Sequence, residues 1–115
     1  MYYIYKITCT ITNKNYIGKS TIPVSKRWNR HLRDSQKLDT HLARAMKLYG
    51  TENFFIEEID SCEEDLNLLN EKERFWISHY DSYHNGYNET EGGDGGNTYG
   101  NKTSEEMEII KEKIR

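Results

Sequence analysis

The stretch YYIYKITCTI (residues 2–11), TNKN (12–15), YIGK (16–19) decides the fold. It holds two tyrosine triplets, Tyr3-Ile4-Tyr5 and Tyr16-Ile17-Gly18, each inside a strand-like run. In the first run Tyr3, Tyr5, Ile7, Cys9 and Ile11 alternate with Lys6, Thr8 and Thr10, which predicts a half-buried strand over residues 2–11. Thr12-Asn13-Lys14-Asn15 is turn-prone, so the chain folds back into a second short strand and makes a hairpin. Tyr5 and Tyr16 then lie on neighbouring strands, where cross-strand residues come within about 5 Å. A glycine inside a strand packs nothing, so Gly18 marks close approach by another backbone or a ligand.

Outward from the hairpin, Pro23 suits a first helical turn and opens a helix of about a dozen residues. Val24, Trp28 and Leu32 form its inward stripe, with Lys26, Arg30, Arg33 and Lys37 facing out. A second helix covers residues 39–49, with Leu42, Ala45, Met46 and Tyr49 at helical spacing and Gly50 as its cap. Residues 54–59 read as a third strand and residues 63–80 as a long acidic helix. Asn85-Gly86 is a turn ahead of a short extended piece, residues 87–90. The sum is an α/β (α+β) domain on residues 1–91, a small three-stranded antiparallel sheet flanked by helices. A Gly-rich linker is expected over residues 92–102, beginning Gly92-Gly93-Asp94-Gly95-Gly96. Residues 103–115 read as a trailing helix opened by the capping pattern Thr103-x-x-Glu106, with too few apolar residues for a core.

With 115 residues, 30% of them charged, and a mean hydropathy of −0.97, the chain has room for one domain and one core. No apolar run approaches the roughly 18 residues of a membrane helix, and no signal peptide precedes the first strand. Cys9 and Cys62 lack zinc or disulfide spacing and read as reduced, partly buried thiols of a cytoplasmic protein. The net charge of −3 hides a polarity: residues 1–50 carry +8 and residues 51–115 carry −11. Between Lys19 and Lys37 six basic residues face one acid, so a nucleic-acid face belongs to the N-terminal half. The overall pI of 5.8 excludes a protein that coats DNA on bulk charge alone.

Glu73 is the most telling residue for chemistry. The long helix has its apolar stripe at Leu66, Leu69, Trp76, Ile77 and Tyr80, and Glu73 falls on that stripe. An inward carboxylate is costly unless it pairs with an arginine at the core edge or binds a cation. Arg27 and His31, four apart, project from one side of their helix. Arginine can hold a phosphate and offset charge on a cleaved phosphodiester, and histidine trades protons near pH 7. A solvated basic face is the plainer meaning of those two residues taken alone. His41, His79 and His84 show no metal-ligand spacing with one another and read as surface or packing residues.

Taken in order, the two triplets, Arg27-x-x-x-His31, Glu73 and Asn88 resemble the GIY-YIG nuclease family over about residues 2–92. Tyr5 matches the last tyrosine of the first motif, Tyr16 opens the second and Gly18 closes it. Arg27 and His31 match the family's arginine and histidine on its first helix. Glu73, within Glu71-Lys72-Glu73-Arg74-Phe75-Trp76-Ile77, matches the metal-binding glutamate, and Asn88 the late asparagine. Tyr3 stands where the first motif begins with glycine, a scaffold position.

The resemblance implies a metal-dependent endonuclease hydrolysing phosphodiesters of double-stranded DNA. It would use one divalent cation, Mg²⁺ or Mn²⁺, on Glu73 and no small-molecule cofactor. Catalysis would fall to Tyr5, Tyr16, Arg27, His31, Glu73 and Asn88. In that scheme Tyr5 is the general base, Tyr16 supports it, and Arg27, Lys19 or the metal lowers the tyrosine pKa. Lys19, Lys26, Arg30, Arg33 and Lys37 would meet DNA, and Gly18 serves the motif's backbone. The tail looks like the short DNA-binding modular helices that follow this domain in phage-type homing endonucleases, which implies the catalytic domain of a longer homing-type endonuclease or a small free-standing relative; a monomer or weak dimer in the host cytoplasm is expected. The alternatives are a repair or branched-DNA nuclease of the same fold, or a non-catalytic DNA-binding domain.

Overall fold

Strand β1 (Tyr2–Cys9) runs through the middle of the sheet, antiparallel to β2 (Asn15–Ser20) on one side and β3 (Phe54–Cys62) on the other. The structure, a computed structural model, describes residues 1–92. Three helices complete it: α1 (Val24–Asp34), α2 (His41–Tyr49) and α3 (Leu66–Tyr80), with a 3₁₀ turn at Thr51–Asn53. This is the small three-stranded α+β architecture expected from the sequence.

β1 is not half-buried, because helices cover both of its faces. Tyr5, Ile7 and Cys9 pack with Leu42, Ala45, Met46, Phe54 and Tyr87 beneath α1 and α2. Ile4 packs with Ile17, Cys62, Leu69 and Ile77 beneath α3. Ile11, expected on the inward face, lies beyond the strand end and is exposed. The reversal comes earlier than residues 12–15: Asn13 N–H donates to the Cys9 carbonyl, and Asn13 adopts φ +61°. Short polar asparagine tolerates that left-handed geometry.

Local chemistry sets the helix limits. The Thr40 hydroxyl accepts the Ala43 N–H at the start of α2, and Gly50, at φ +87°, ends it. α3 begins at Leu66 and not at residue 63, because β3 continues to Cys62 and Asp65 caps the Asn67 and Leu68 N–H groups. Leu66 therefore sits in the first turn, 55% exposed, off the buried stripe assigned to it. Leu69, Glu73 and Ile77 do face inward.

Residues 87–90 form a bend and not an extended piece, yet they close the free edge of β2. Tyr87 N–H donates to the Asn15 carbonyl at 2.9 Å. The Asn88 amide accepts from Ile17 N–H and donates to Ile17 C=O, both at 2.8 Å. One side chain thus satisfies the main chain that an edge strand leaves unpaired. Gly92, assigned to the linker, is buried: a side chain there would meet Ile77 and Arg74 of α3. The remainder of the expected linker and the trailing helix lie outside the described residues. Cys9 and Cys62 are buried free thiols. Among the described residues no helix is long and apolar enough to cross a membrane.

Candidate active site

The β1–β2 register pairs Tyr5 with Gly18 and Ile7 with Tyr16, so the two tyrosines are diagonal, not opposed. Their ring centroids lie 6.3 Å apart. The Tyr5 ring crosses directly over Gly18, where a Cβ would sit 2.2 Å from both Tyr5 Cζ and Oη. The close approach that marks this glycine is thus made by a side chain. It lets a fully buried tyrosine carry its hydroxyl toward the β2 edge.

There the Tyr5 hydroxyl meets His31 Nε2 at 2.7 Å. The His31 ring stands edge-on to both tyrosines, 5.6 Å from each centroid. Burial is the main reason that the Tyr5 phenol is held well above its ordinary pKa, with Tyr16 adding to the rise and Arg27 pulling back. Burial, then the Glu73 charge, also raises Tyr16, against Arg27. Burial and the Arg27 charge lower His31 to about 4. At neutral pH the trio is therefore two phenols and a neutral imidazole.

The other half of the site comes from the opposite face of the sheet. Alternation along β2 sends Lys19 toward α3, away from Tyr16 and Gly18. Its Nζ lies 2.5 Å from Asn70 Oδ1 and 3.9 Å from Glu73 Oε1. Asn70 and Glu73 are three apart on α3, hence on one side of it, and both are buried. Lys19 was grouped with the DNA-facing basic residues, but it stands inside the site. Lys26, Arg30, Arg33 and Lys37 are exposed, as a solvent-facing basic surface requires.

Both halves open onto one cavity of about 290 Å³ at the β2 edge, lined by Tyr16, Lys19, Arg27, His31, Glu73 and Asn88 among others. The cavity continues between α2 and residues 88–90, past Leu42, Met46 and Thr90. Tyr16 lines it; Tyr5 does not, and reaches the site only through its neighbours. Asn88 lines it as well, but both polar atoms of its side chain are engaged by Ile17. His41, His79 and His84 are exposed and outside the cavity lining.

Two contributors were not anticipated. Asn70 lies one turn before Glu73, so the same helical-face argument reaches it. Glu89 Oε2 accepts the His41 N–H at 2.5 Å and tethers the cavity rim to the start of α2. That second contact spans 48 residues and leaves no local signal.

Residues 1–88 match the GIY-YIG catalytic domain. The chain belongs to that family. Intron-associated endonuclease 1 of Enterobacteria phage T4 is 38% identical over 90 residues, which is 74% of this chain and 35% of that protein. The solved catalytic domain of homing endonuclease I-TevI is 32% identical with a TM-score of 0.69, covering 76% of this chain and 97% of that one. A point mutant of the I-TevI catalytic domain gives a TM-score of 0.71 at 32% identity, over 79% of this chain and 96% of the other. The chain thus spans about a third of the phage protein's length but nearly all of the solved domain. By family it is a GIY-YIG catalytic domain, and the relatives it matches are endonucleases or their catalytic domains.

GIY-YIG nucleases in general depend on a divalent metal. Among the described residues no group of three or more His, Cys, Asp or Glu is arranged to hold a metal ion. Glu73 is a buried carboxylate, 8% exposed, on a cavity wall that Asp34 and Glu89 also line. That suits a hard cation taking one protein oxygen and filling its remaining positions with water and phosphate oxygens, the habit of Mg²⁺.

Proposed function

We propose that this domain cuts double-stranded DNA, as the catalytic part of a homing-type endonuclease, with Mg²⁺ or Mn²⁺ on Glu73. The observation that carries the reading is the meeting of a phenol–imidazole cluster, an arginine and a buried carboxylate at one cavity. Those are the parts a phosphodiester hydrolase needs: a proton path, a counter-charge and a cation ligand.

Tyr16 faces the cavity and is the tyrosine positioned to contact the attacking water. Tyr5 and His31 stand behind it as a proton relay, which exchanges the ranking of the two tyrosines expected from sequence. Neutral His31 has room for a proton at pH 7, and the burial that keeps it neutral also makes it release that proton readily. Arg27 offsets charge gathering on the phosphate oxygens in the transition state. A divalent ion held by Glu73 would add Lewis-acid stabilisation to those oxygens. Asn88 acts as a positioning residue, fixing β2 and with it Tyr16 and Lys19. Lys26, Arg30, Arg33 and Lys37 lay α1 along the DNA backbone. The domain works as a monomer or weak dimer in the cytoplasm of the host cell.

Supercoiled plasmid incubated with the chain tests this directly. Nicked or linear product is expected with Mg²⁺ or Mn²⁺ and none with EDTA. Intact plasmid under every metal condition, or equal cutting in EDTA, overturns the reading.

A further inference from the structure

The hydrolytic scheme leaves part of the cavity without a task. Beyond Tyr16, Arg27 and His31 it runs on between α2 and residues 88–90, where none of the proposed chemistry takes place. Leu42, Ala43, Met46 and Tyr87 line this arm, and each is at most 5% exposed. Surface so well covered is touched only by a group that enters the recess. Two acids also line the cavity, Asp34 of α1 and Glu89 opposite the start of α2. The helix end itself is not open to an anion. The Thr40 hydroxyl takes the Ala43 N–H, and Glu89 Oε2 takes the His41 N–H. Glu89 Oε1 makes no hydrogen bond among the described residues, so it is left as an acceptor.

Acids and a capped helix end disfavour a second phosphate in this arm. A flat, largely apolar group with an amino edge fits it instead, and DNA carries such groups beside every phosphate. We propose that the arm between α2 and residues 88–90 receives the base of a nucleotide next to the scissile phosphate, swung out of the duplex, and that Glu89 reads its exocyclic amine. The inference deepens the proposed function and rests on it, since it takes the cleaved phosphate to lie at Arg27. A base stacked in a duplex offers only its edges in the grooves, so its faces reach Leu42 and Met46 only after extrusion. The whole cavity, about 290 Å³, is near the lower limit of single-ligand sites, which restricts the occupant to one nucleotide. Adenine, cytosine and guanine each carry an exocyclic amine that a carboxylate accepts from. Thymine carries none, so Glu89 would meet a carbonyl oxygen, acceptor against acceptor, and both groups would lose their partners.

Glu89→Gln tests the readout, because glutamine keeps an acceptor for the His41 N–H and adds a donor that suits thymine. Random-sequence duplexes are cut in Mg²⁺ by the wild type and by the variant, and the new ends are sequenced. At one position beside the cut, thymine should be depleted roughly tenfold in the wild-type products, the scale of one lost hydrogen bond to a charged acceptor. Glu89→Gln should abolish that depletion. No depletion in the wild type, or equal depletion in both proteins, overturns the proposal.

Extrusion has a readout of its own that needs neither metal nor cutting, and it uses the wild-type chain. A duplex with 2-aminopurine at that position should brighten several-fold when the chain binds it in EDTA, because stacking quenches the probe. Unchanged fluorescence in a bound duplex overturns the proposal, whether or not Glu89→Gln folds. Failure of the wild type to cut any duplex sinks the hydrolytic reading and the inference with it. Cutting without thymine depletion or without brightening sinks the inference alone.

Discussion

The two faces of the sheet bring opposite chemistries to the same edge. Beneath α1 and α2 the aromatic groups Tyr5, Tyr16 and His31 are uncharged and packed ring against ring over an apolar cluster, with the charge of Arg27 beside them. Beneath α3 the charged Lys19 lies beside the Glu73 carboxylate and donates to the neutral Asn70 amide oxygen. Burial keeps the first set neutral, which suits moving protons, whereas the second set holds its charges by mutual compensation, which suits binding a cation. The narrow β2 edge, without a side chain at Gly18 and clamped by Asn88, lets the two sets share one cavity.

The sharpest way to break the arrangement is at Gly18. In Gly18→Ala the new methyl would overlap the Tyr5 ring, which is fully buried. A loss of about 3 kcal/mol in denaturant unfolding, with abolished cleavage, is expected. A variant that melts like wild type and still cuts would show that the Tyr5–Gly18 contact is dispensable.

Next in size is Arg27→Ala, which removes the counter-charge but leaves both faces folded. Cleavage should fall about 100- to 1000-fold with DNA affinity nearly unchanged. Equal losses in binding and cutting would reduce Arg27 to part of the outer basic surface.

Asn88→Ala loosens the edge itself. Two main-chain groups of Ile17 lose their partner, which costs about 2 to 3 kcal/mol. Asn88→Asp keeps the acceptor but loses the donor to Ile17 C=O, so it should fall between Ala and wild type. Thermal melts of the two variants check the order.

The neutrality of the aromatic face has a pH signature. The folded pKa of His31, about 4, lies below its unfolded value near 6.5, so its contribution is complete above pH 6.5 and is lost as pH falls toward 4. The loss between pH 6.5 and 4.5 is on the order of 2 kcal/mol. His31→Gln should flatten that part of the stability curve; an unchanged acid slope would mean that His31 is not held neutral. Smallest of all, Arg30→Ala or Arg33→Ala should weaken DNA binding by under about 1 kcal/mol and reduce the salt slope by close to one, with the rate of cutting of bound DNA untouched. A rate defect in either variant would draw that surface into the chemistry.

Much of this was legible along the chain. The hairpin followed from alternation and turn residues, and Glu73's inward aspect from helical spacing alone. Other features depended on what packs above and below. Ile4 and Thr8 are buried because helices cover both faces of β1, and nothing within residues 2–11 announces the second cover. Leu66 looked inward until the cap at Asp65 placed it in an exposed first turn. Asn88 reaches Ile17 across 71 positions, so its role as an edge clamp has no local trace. Lys19 is the instructive case: period-two alternation already set it on the face opposite Tyr16, but its place in a basic run suggested the DNA surface instead.

The central claim is that the charged face and the neutral face make one metal-dependent site at the β2 edge. Glu73→Gln tests it most directly, because the swap keeps the shape and one acceptor oxygen and removes the charge that holds a cation. Supercoiled plasmid in Mg²⁺ should remain uncut by this variant while its circular dichroism and melting stay close to wild type. Cutting at the wild-type rate by a folded Glu73→Gln protein would contradict the account.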